Sequence, residues 1–325
     1  MRYLRPLMQV GPVPAPGAVQ MGWCWFTHVE VLSRTAPSRI IPATELSDDE
    51  RARFISPGAA PQIMGILNTT PDSFSDGGAF DTLDTGVAQG RALVAAGADI
   101  LDIGGESTRP GATLVPADEE IARTAPVIAA LRAAGVATPI SIDTRKAEVA
   151  KAALEAGASM VNDVSGLTFD PDLAPLCAAC GVPICVMHAQ GEPQTMQKNP
   201  IYDNVLLDVF DALAERIDAL VALGIPRAQI TADPGIGFGK TQAHNLAILN
   251  RISLFHGLGV PILLGASRKR FIGTIGNAPE AADRAPGSIA VALAAIAQGV
   301  AIIRAHDVAD HAQAIALWRA AVAHP

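Results

Sequence analysis

The chain has 325 residues, half of them hydrophobic and 17% charged, with a formal net charge of -8. That composition suits a packed globular chain and excludes extensive disorder. An acidic chain without long Lys/Arg runs is a poor nucleic-acid binder, so an anionic substrate must be held by a few locally placed cations.

No apolar run approaches the roughly 18 residues of a membrane span, and residues 1–14 (MRYLRPLMQVGPVP) lack the apolar core of a signal peptide. A soluble, cytoplasmic protein is expected, with no membrane and no nucleic-acid partner. Residues 1–60 stand apart from the rest of the chain and read as a covering extension that closes the bottom of the larger domain. Within it, residues 21–34 (MGWCWFTHVEVLSR) suit a short strand pair, and Trp23 and Trp25 flank Cys24 in the alternation of a half-buried strand. Residues 45–54 (ELSDDERARF) read as a short helix with Ser47 as N-cap.

From Pro61 onward one unit recurs: a short apolar strand, a polar or glycine-rich turn, an amphipathic helix. Strands are predicted at 63–68, 100–104, 140–143, 160–163, 183–188, 230–233, 261–265 and 301–304, with helical patterns over 84–98, 146–158 and 204–224. Strands alternating with helices imply parallel pairing, and near-continuous apolar strands imply burial on both faces. Eight units predict an α/β fold, a (β/α)8 TIM barrel over residues 61–325 carrying an N-terminal extension. An open doubly wound sheet is the alternative.

The strand C-termini are polar: Asn68; then residues 104–109 (GGESTR); Asp143; Asn162 and Asp163; His188; Asp233; Lys269 just after strand seven; Arg304 and His306. Their N-terminal ends carry little beyond Gly, Ala and Pro. A barrel gathers all its strand C-termini on one face, where active sites are built. Helix capping explains one such residue but not eight units of them. Arg109, Lys269, Arg304 and His306 suggest a phosphate or pyrophosphate pocket. The competing use for these cations is salt bridging with Asp102, Glu106 and Asp307. Asp143 and Asp233 need donors if buried, and a heterocycle with adjacent N–H groups supplies them. Asn162 can donate and accept at once.

Two long loops, 69–83 and 105–116, read as mobile lids, and Asn68, Asp72 and Asp76 are oxygen donors suited to Mg2+ beside a pyrophosphate. GIGFGK (235–240) fits neither phosphate-loop pattern; it reads as a close-approach turn bringing Phe238 to the pocket mouth. Cys177-x-x-Cys180 resembles a redox or zinc half-site, but no second ligand pair is nearby and a helical packing role is the simpler reading.

Seven segments together resemble dihydropteroate synthase: MGILNTTPDSFSDGG (64–78), DIGGESTRPG (102–111), SIDTRK (141–146), VNDVSG (161–166), DPGIGFGK (233–240), GASRKRFIG (265–273) and RAHDV (304–308). The likeness runs from about residue 63 to the C-terminus. Ala305 and Ala189 depart from the larger residues usual in that family, and residues 1–60 lie outside its core.

The resemblance implies condensation of 6-hydroxymethyl-7,8-dihydropterin pyrophosphate with p-aminobenzoate to 7,8-dihydropteroate and pyrophosphate, an SN1-like step in folate biosynthesis. It places the pterin on Asp143, Asn162, Asp233 and Lys269, with Arg304 against its face. It places the pyrophosphate on Asn68, Thr108, Arg109, Arg304 and His306, with Mg2+ at Asn68. The p-aminobenzoate site falls to Phe74, Pro110, Phe238, Ser267 and Lys269, which makes sulfonamides expected inhibitors. A homodimer is implied too. The alternatives are a pterin-binding methyltransferase barrel, which would share Asp143, Asn162 and Asp233 but not the pyrophosphate pocket, and a non-catalytic pterin- or folate-binding protein.

Overall fold

The computed structural model describes residues 2–11, 16–55, 58–70, 79–107, 112–191 and 195–323. Six short strands come first: β1 (Tyr3–Pro6), β2 (Gln9–Val10), β3 (Val19–Met21), β4 (Cys24–Phe26), β5 (His28–Leu32) and β6 (Arg39–Pro42), followed by the one-turn helix α1 (Asp48–Arg51). They form two antiparallel three-stranded sheets, ordered β1-β5-β6 and β2-β4-β3. The pair expected in residues 21–34 is therefore split: β4 and β5 belong to different sheets. Cys24 and Phe26 are buried while Trp23 and Trp25 are half-buried, so the predicted alternation holds. Ser47 caps α1 in a capping box with Glu50.

The second part alternates strand and helix: β7 (Gln62–Asn68), α2 (Ala79–Ala95), β8 (Ile100–Gly104), α3 (Ala117–Ala133), β9 (Ile140–Asp143), α4 (Ala147–Glu155), β10 (Met160–Asp163), α5 (Leu173–Cys180), β11 (Ile184–Met187), α6 (Val205–Ala222), β12 (Ile230–Asp233), α7 (Gln242–Asn250), β13 (Leu263–Leu264), α8 (Arg270–Ile275), α9 (Ala285–Ile296), β14 (Ile302–Ala305) and α10 (Val308–Ala323). The eight strands are parallel, ordered β12-β11-β10-β9-β8-β7-β14-β13. The ring closes between its two ends: Ala232 pairs with Ile262, and its N–H donates to the Pro261 carbonyl at 3.0 Å. Closure removes the open-sheet alternative. β13 is shorter than the expected 261–265 span; at its start Pro261 has no N–H to give the ladder.

Strand periodicity sorts each strand's residues between two cores. Ile63, Leu67, Leu101, Ile103, Val161, Ile184, Val186, Leu264 and Ile303 face the helices, in one large apolar cluster. Met64, Ile100, Met160, Cys185, Leu263 and Ile302 point into the barrel and form a separate cluster there. Two residues further along the same strands, on the same side, stand Asp102, Asn162, Gly265 and Arg304. The barrel interior thus turns from apolar to polar within one strand repeat.

The extension has its own small core of Leu4, Met21, Phe26, Val29, Ile41, Ala43, Leu46 and Phe54. It meets the barrel where chain enters β13 and β14. Ser253 Oγ donates to the Pro6 carbonyl at 2.9 Å, and Trp23 Nε1 to the Ile296 carbonyl at 2.9 Å. On its flank, Arg34 bonds Asp208 and Asp211 of α6, both at 2.7 Å. The Ser253 and Trp23 contacts lie where chain enters strand N-termini, whereas Arg34 reaches the first turns of α6, which follows β11.

Candidate active site

One carboxylate organises the polar tier. Asp102, wholly buried on β8, accepts at Oδ2 from Arg304 Nε at 2.5 Å and from Asn162 Nδ2 at 3.1 Å. Arg304 Nη2 donates to Asp143 Oδ2 at 2.6 Å. Strands β8, β9, β10 and β14 are joined by this chain of bonds. One guanidinium faces two carboxylates here, which leaves acceptor capacity for a donor-bearing ligand. Burial pushes Asp143 up to about 7, with Arg304 pulling the other way and Asp102 adding to the rise. The competing salt-bridge reading is thus correct for Arg304 and Asp102, and that bridge is built into the pocket.

Asp233 extends the tier across β12. Its Oδ1 accepts from the Gly235 N–H at 2.8 Å, and burial raises its pKa against the pull of that bond and of Lys269, Lys240 and Arg304. Glycine at 265 keeps the approach open, since a Cβ there would stand 3.4 Å from Asp233 Oδ2. Lys269 Nζ lies 4.1 Å from the centre of the Phe238 ring, a cation–π contact at the pocket rim.

The turn that carries Phe238 is wrapped around a buried lysine. Lys240 Nζ has four acceptors in reach: Gly235 O and His188 Nδ1 at 2.9 Å, Phe238 O at 3.1 Å and His188 O at 3.2 Å. Burial brings Lys240 down to about 7 and His188 down to about 3, so His188 is neutral and its Nδ1 can accept. The turn closes because Gly235, Gly237 and Gly239 are all left-handed; at Gly235 a Cβ would sit 1.9 Å from the His188 carbonyl oxygen.

The remaining predicted residues fall in two groups. Ser267 Oγ lies 3.0 Å from His306 Nδ1 and accepts from the His306 N–H at 3.2 Å. That places Ser267 beside His306. Asn68 is half-buried at the end of β7. Phe74, Thr108, Arg109 and Pro110, with Asp72 and Asp76, lie outside the described residues. The ends of the 105–116 loop are anchored: Glu106 accepts from the Val115 N–H and Arg145 at 3.1 Å and from Lys146 at 3.0 Å, and Lys146 also pairs with Glu120.

Sequence reasoning assigned Asp102 no ligand role and Lys240 no role of its own. Strand parity marks Asp102, which shares a face with Ile100 and Gly104; nothing local marks Lys240 as buried. Cys177 is buried and Cys180 exposed, and neither is in a disulfide.

The family model for pterin binding enzymes matches residues 64–306. The dihydropteroate synthase of Synechocystis is 47% identical over 266 residues, 81% of this chain and 92% of that one. The chain belongs to the dihydropteroate synthase family. It is a transferase of folate biosynthesis. The Xanthomonas albilineans family member solved with 4-aminobenzoic acid superposes with a TM-score of 0.77 at 45% identity, covering 82% of this chain and 94% of that one. The Yersinia pestis member solved with a sulfonamide drug gives 0.76 at 42% identity, covering 81% and 94%. The region matched by the family model begins after the extension and contains every described residue of the polar tier.

Proposed function

We propose that the enzyme condenses 6-hydroxymethyl-7,8-dihydropterin pyrophosphate with p-aminobenzoate at the polar end of the barrel. The observation that carries this reading is the acceptor tier of buried Asp233 and Asn162 and half-buried Asp143, with Arg304 and Lys269 among them. A pterin edge with adjacent ring and exocyclic N–H groups satisfies one carboxylate twice over, and the planar face of Arg304 suits stacking on the ring. The pyrophosphate is assigned to His306 and Arg304, with Thr108 and Arg109 in the loop beyond the described residues. Arg304 already gives its Nε–H and one Nη2–H to carboxylates, so both Nη1 N–H groups and the second on Nη2 are left for a phosphate oxygen.

In the reaction the bond from the pterin methylene carbon to the pyrophosphate oxygen breaks, and its electron pair leaves with pyrophosphate. The arylamine nitrogen forms the new C–N bond and gives up one proton. An arylamine is already neutral near pH 7, so no strong base is needed. The barrier lies in expelling the anion, which the cations stabilise, while the Asp143 and Asp233 carboxylates favour the cation left on the pterin. Phe238, Lys269 and Ser267, with Phe74 and Pro110, are assigned to p-aminobenzoate; the Ser267–His306 contact supports a position for that serine between the two subsites.

Among the described residues no group of three or more His, Cys, Asp or Glu could hold a metal ion by itself. The amide oxygen of Asn68 is nevertheless a hard donor that fits Mg2+ carried largely by phosphate oxygens. Mg2+ bound there would neutralise charge on the leaving pyrophosphate. Sulfonamides are proposed as competitors of p-aminobenzoate. We also assign a homodimer, supported by exposed apolar Leu246, Ile275 and Leu317 on outer helices, and a cytoplasmic location, supported by the free Cys24, Cys177, Cys180 and Cys185. Residues 1–60 are assigned to stability rather than chemistry.

The test is an assay with both substrates. Stoichiometric dihydropteroate and pyrophosphate are expected, with inhibition by sulfonamide relieved by added p-aminobenzoate. Pterin binding without condensation in the presence of Mg2+ would contradict the proposal.

A further inference from the structure

Asp102 is assigned no substrate contact above, and its Oδ2 is taken up by the protein. It is wholly buried, two residues below the β8–α3 loop, and its Oδ2 joins two residues that come from opposite directions around the ring. Asn162 reaches it from β10 and Arg304 from β14. Both are assigned above to the pterin.

The chemistry of that oxygen restricts both partners. A carboxylate only accepts, whereas a side-chain amide has one donating end and one accepting end. With Asp102 at 3.1 Å, the end of Asn162 that faces it must be Nδ2. The amide oxygen is then turned away from Asp102, as an acceptor. Arg304 is restricted differently. Its Nε is held by Asp102 and its Nη2 by Asp143, and two bonds along one edge fix the plane of a rigid guanidinium. Without Asp102 the amide could turn over and the guanidinium could pivot about its single bond to Asp143.

We propose that Asp102 is a positioning residue for pterin recognition, setting which end of Asn162 faces the ligand and the plane in which Arg304 lies, so that the pocket selects a ring edge presenting an N–H to Asn162 Oδ1. The inference rests on the pterin site proposed above. It adds a direction to the hydrogen bond at Asn162: the ligand donates and the protein accepts. A ring that sets a bare nitrogen against Oδ1 brings lone pair against lone pair and is disfavoured, while the second Nδ2 proton stays available to a neighbouring acceptor.

The test is Asp102→Asn, near in size but carrying a donor and no charge. Calorimetry with the pterin pyrophosphate should show affinity reduced by about 10- to 100-fold, the scale of a lost charged hydrogen bond. The KM for p-aminobenzoate should stay within about twofold of the parent. The effect should be non-additive with Asn162→Ala, because Asp102 acts through that amide. Equal loss of both substrates, or strict additivity, would overturn the positioning role.

If Asp102→Asn does not fold, the parent enzyme supplies the answer by NMR. One Nδ2 proton of Asn162, assigned by its disappearance in Asn162→Ser, should exchange slowly with and without pterin pyrophosphate. Rapid exchange of both amide protons would refute the proposal. Failure of the parent enzyme to bind pterin pyrophosphate at all would instead sink the underlying site assignment.

Discussion

The two halves of the barrel interior share strands, side-chain direction and backbone geometry, yet they do opposite things. At one end Ile100, Met160, Cys185, Leu263 and Ile302 fill the barrel with apolar atoms. One strand repeat further on, Asp102, Asn162 and Arg304 trade hydrogen bonds and charge. Burial is nearly as complete in both. What differs is how that burial is compensated: packing below, and mutual pairing of acids and bases above. The lower tier holds the ring closed, and the upper tier holds unsatisfied acceptor capacity in a position where closure makes it expensive. A ligand with N–H groups then gains what the empty pocket lacks.

This contrast can be broken from either side. The largest effect should come from Asp233→Asn, which replaces a charged acceptor by an amide. Pterin affinity should fall by on the order of 2–5 kcal/mol, the range for truncating a buried charged pair. Thermal unfolding should change little, because in the parent protein Asp233 is held above its usual pKa by burial rather than stabilised by an ion pair. Calorimetry and a melting curve together check both halves. Met160→Ala should do the reverse: a loss of about 2–5 kcal/mol in stability from the cavity it leaves, with KM for the pterin close to that of the parent. Denaturant titration beside steady-state kinetics would show whether the tiers are separable.

A smaller effect is expected from pH. Asp143 is pushed up to about 7, and its ionised form is the better acceptor for pterin N–H groups. Binding should lower that pKa and release protons, so affinity should weaken as pH falls through 7 and level off above it. Comparing binding enthalpies in buffers of different ionisation heat measures the proton count. Proton uptake on binding near pH 6.5 would reverse the assignment.

Much of this contrast was legible in the chain itself. Four strands, β8, β9, β10 and β12, have the bounds expected from apolar runs, because a strand buried on both faces cannot hide its composition. The polar strand ends were visible for the same reason. Asp102 was harder, since it sits inside the run ILDIG and one charge in an apolar strand says little until its parity with Ile100 is noticed. The bond of Ser267 to His306 was out of reach: the two are 39 positions apart and meet only when β13 and β14 lie side by side. The seat of the extension was equally hidden, resting on contacts such as Trp23 with Ile296, 273 positions away.

The smallest catalytic effect is expected from removing residues 1–55. Among the described residues they contribute no side chain to the polar tier, so turnover should be retained while the melting temperature drops. A folded truncation without activity would show that the extension reaches the chemistry.

The decisive question is where the pterin lies. A crystal structure with pterin pyrophosphate bound should show the ring edge-on to Asp143, Asn162 and Asp233, above the apolar tier and against the face of Arg304, with the pyrophosphate toward His306. A ring seated elsewhere, such as the groove of about 270 Å³ between the extension and α6 lined by Leu32, Asn204 and Arg251, would contradict it.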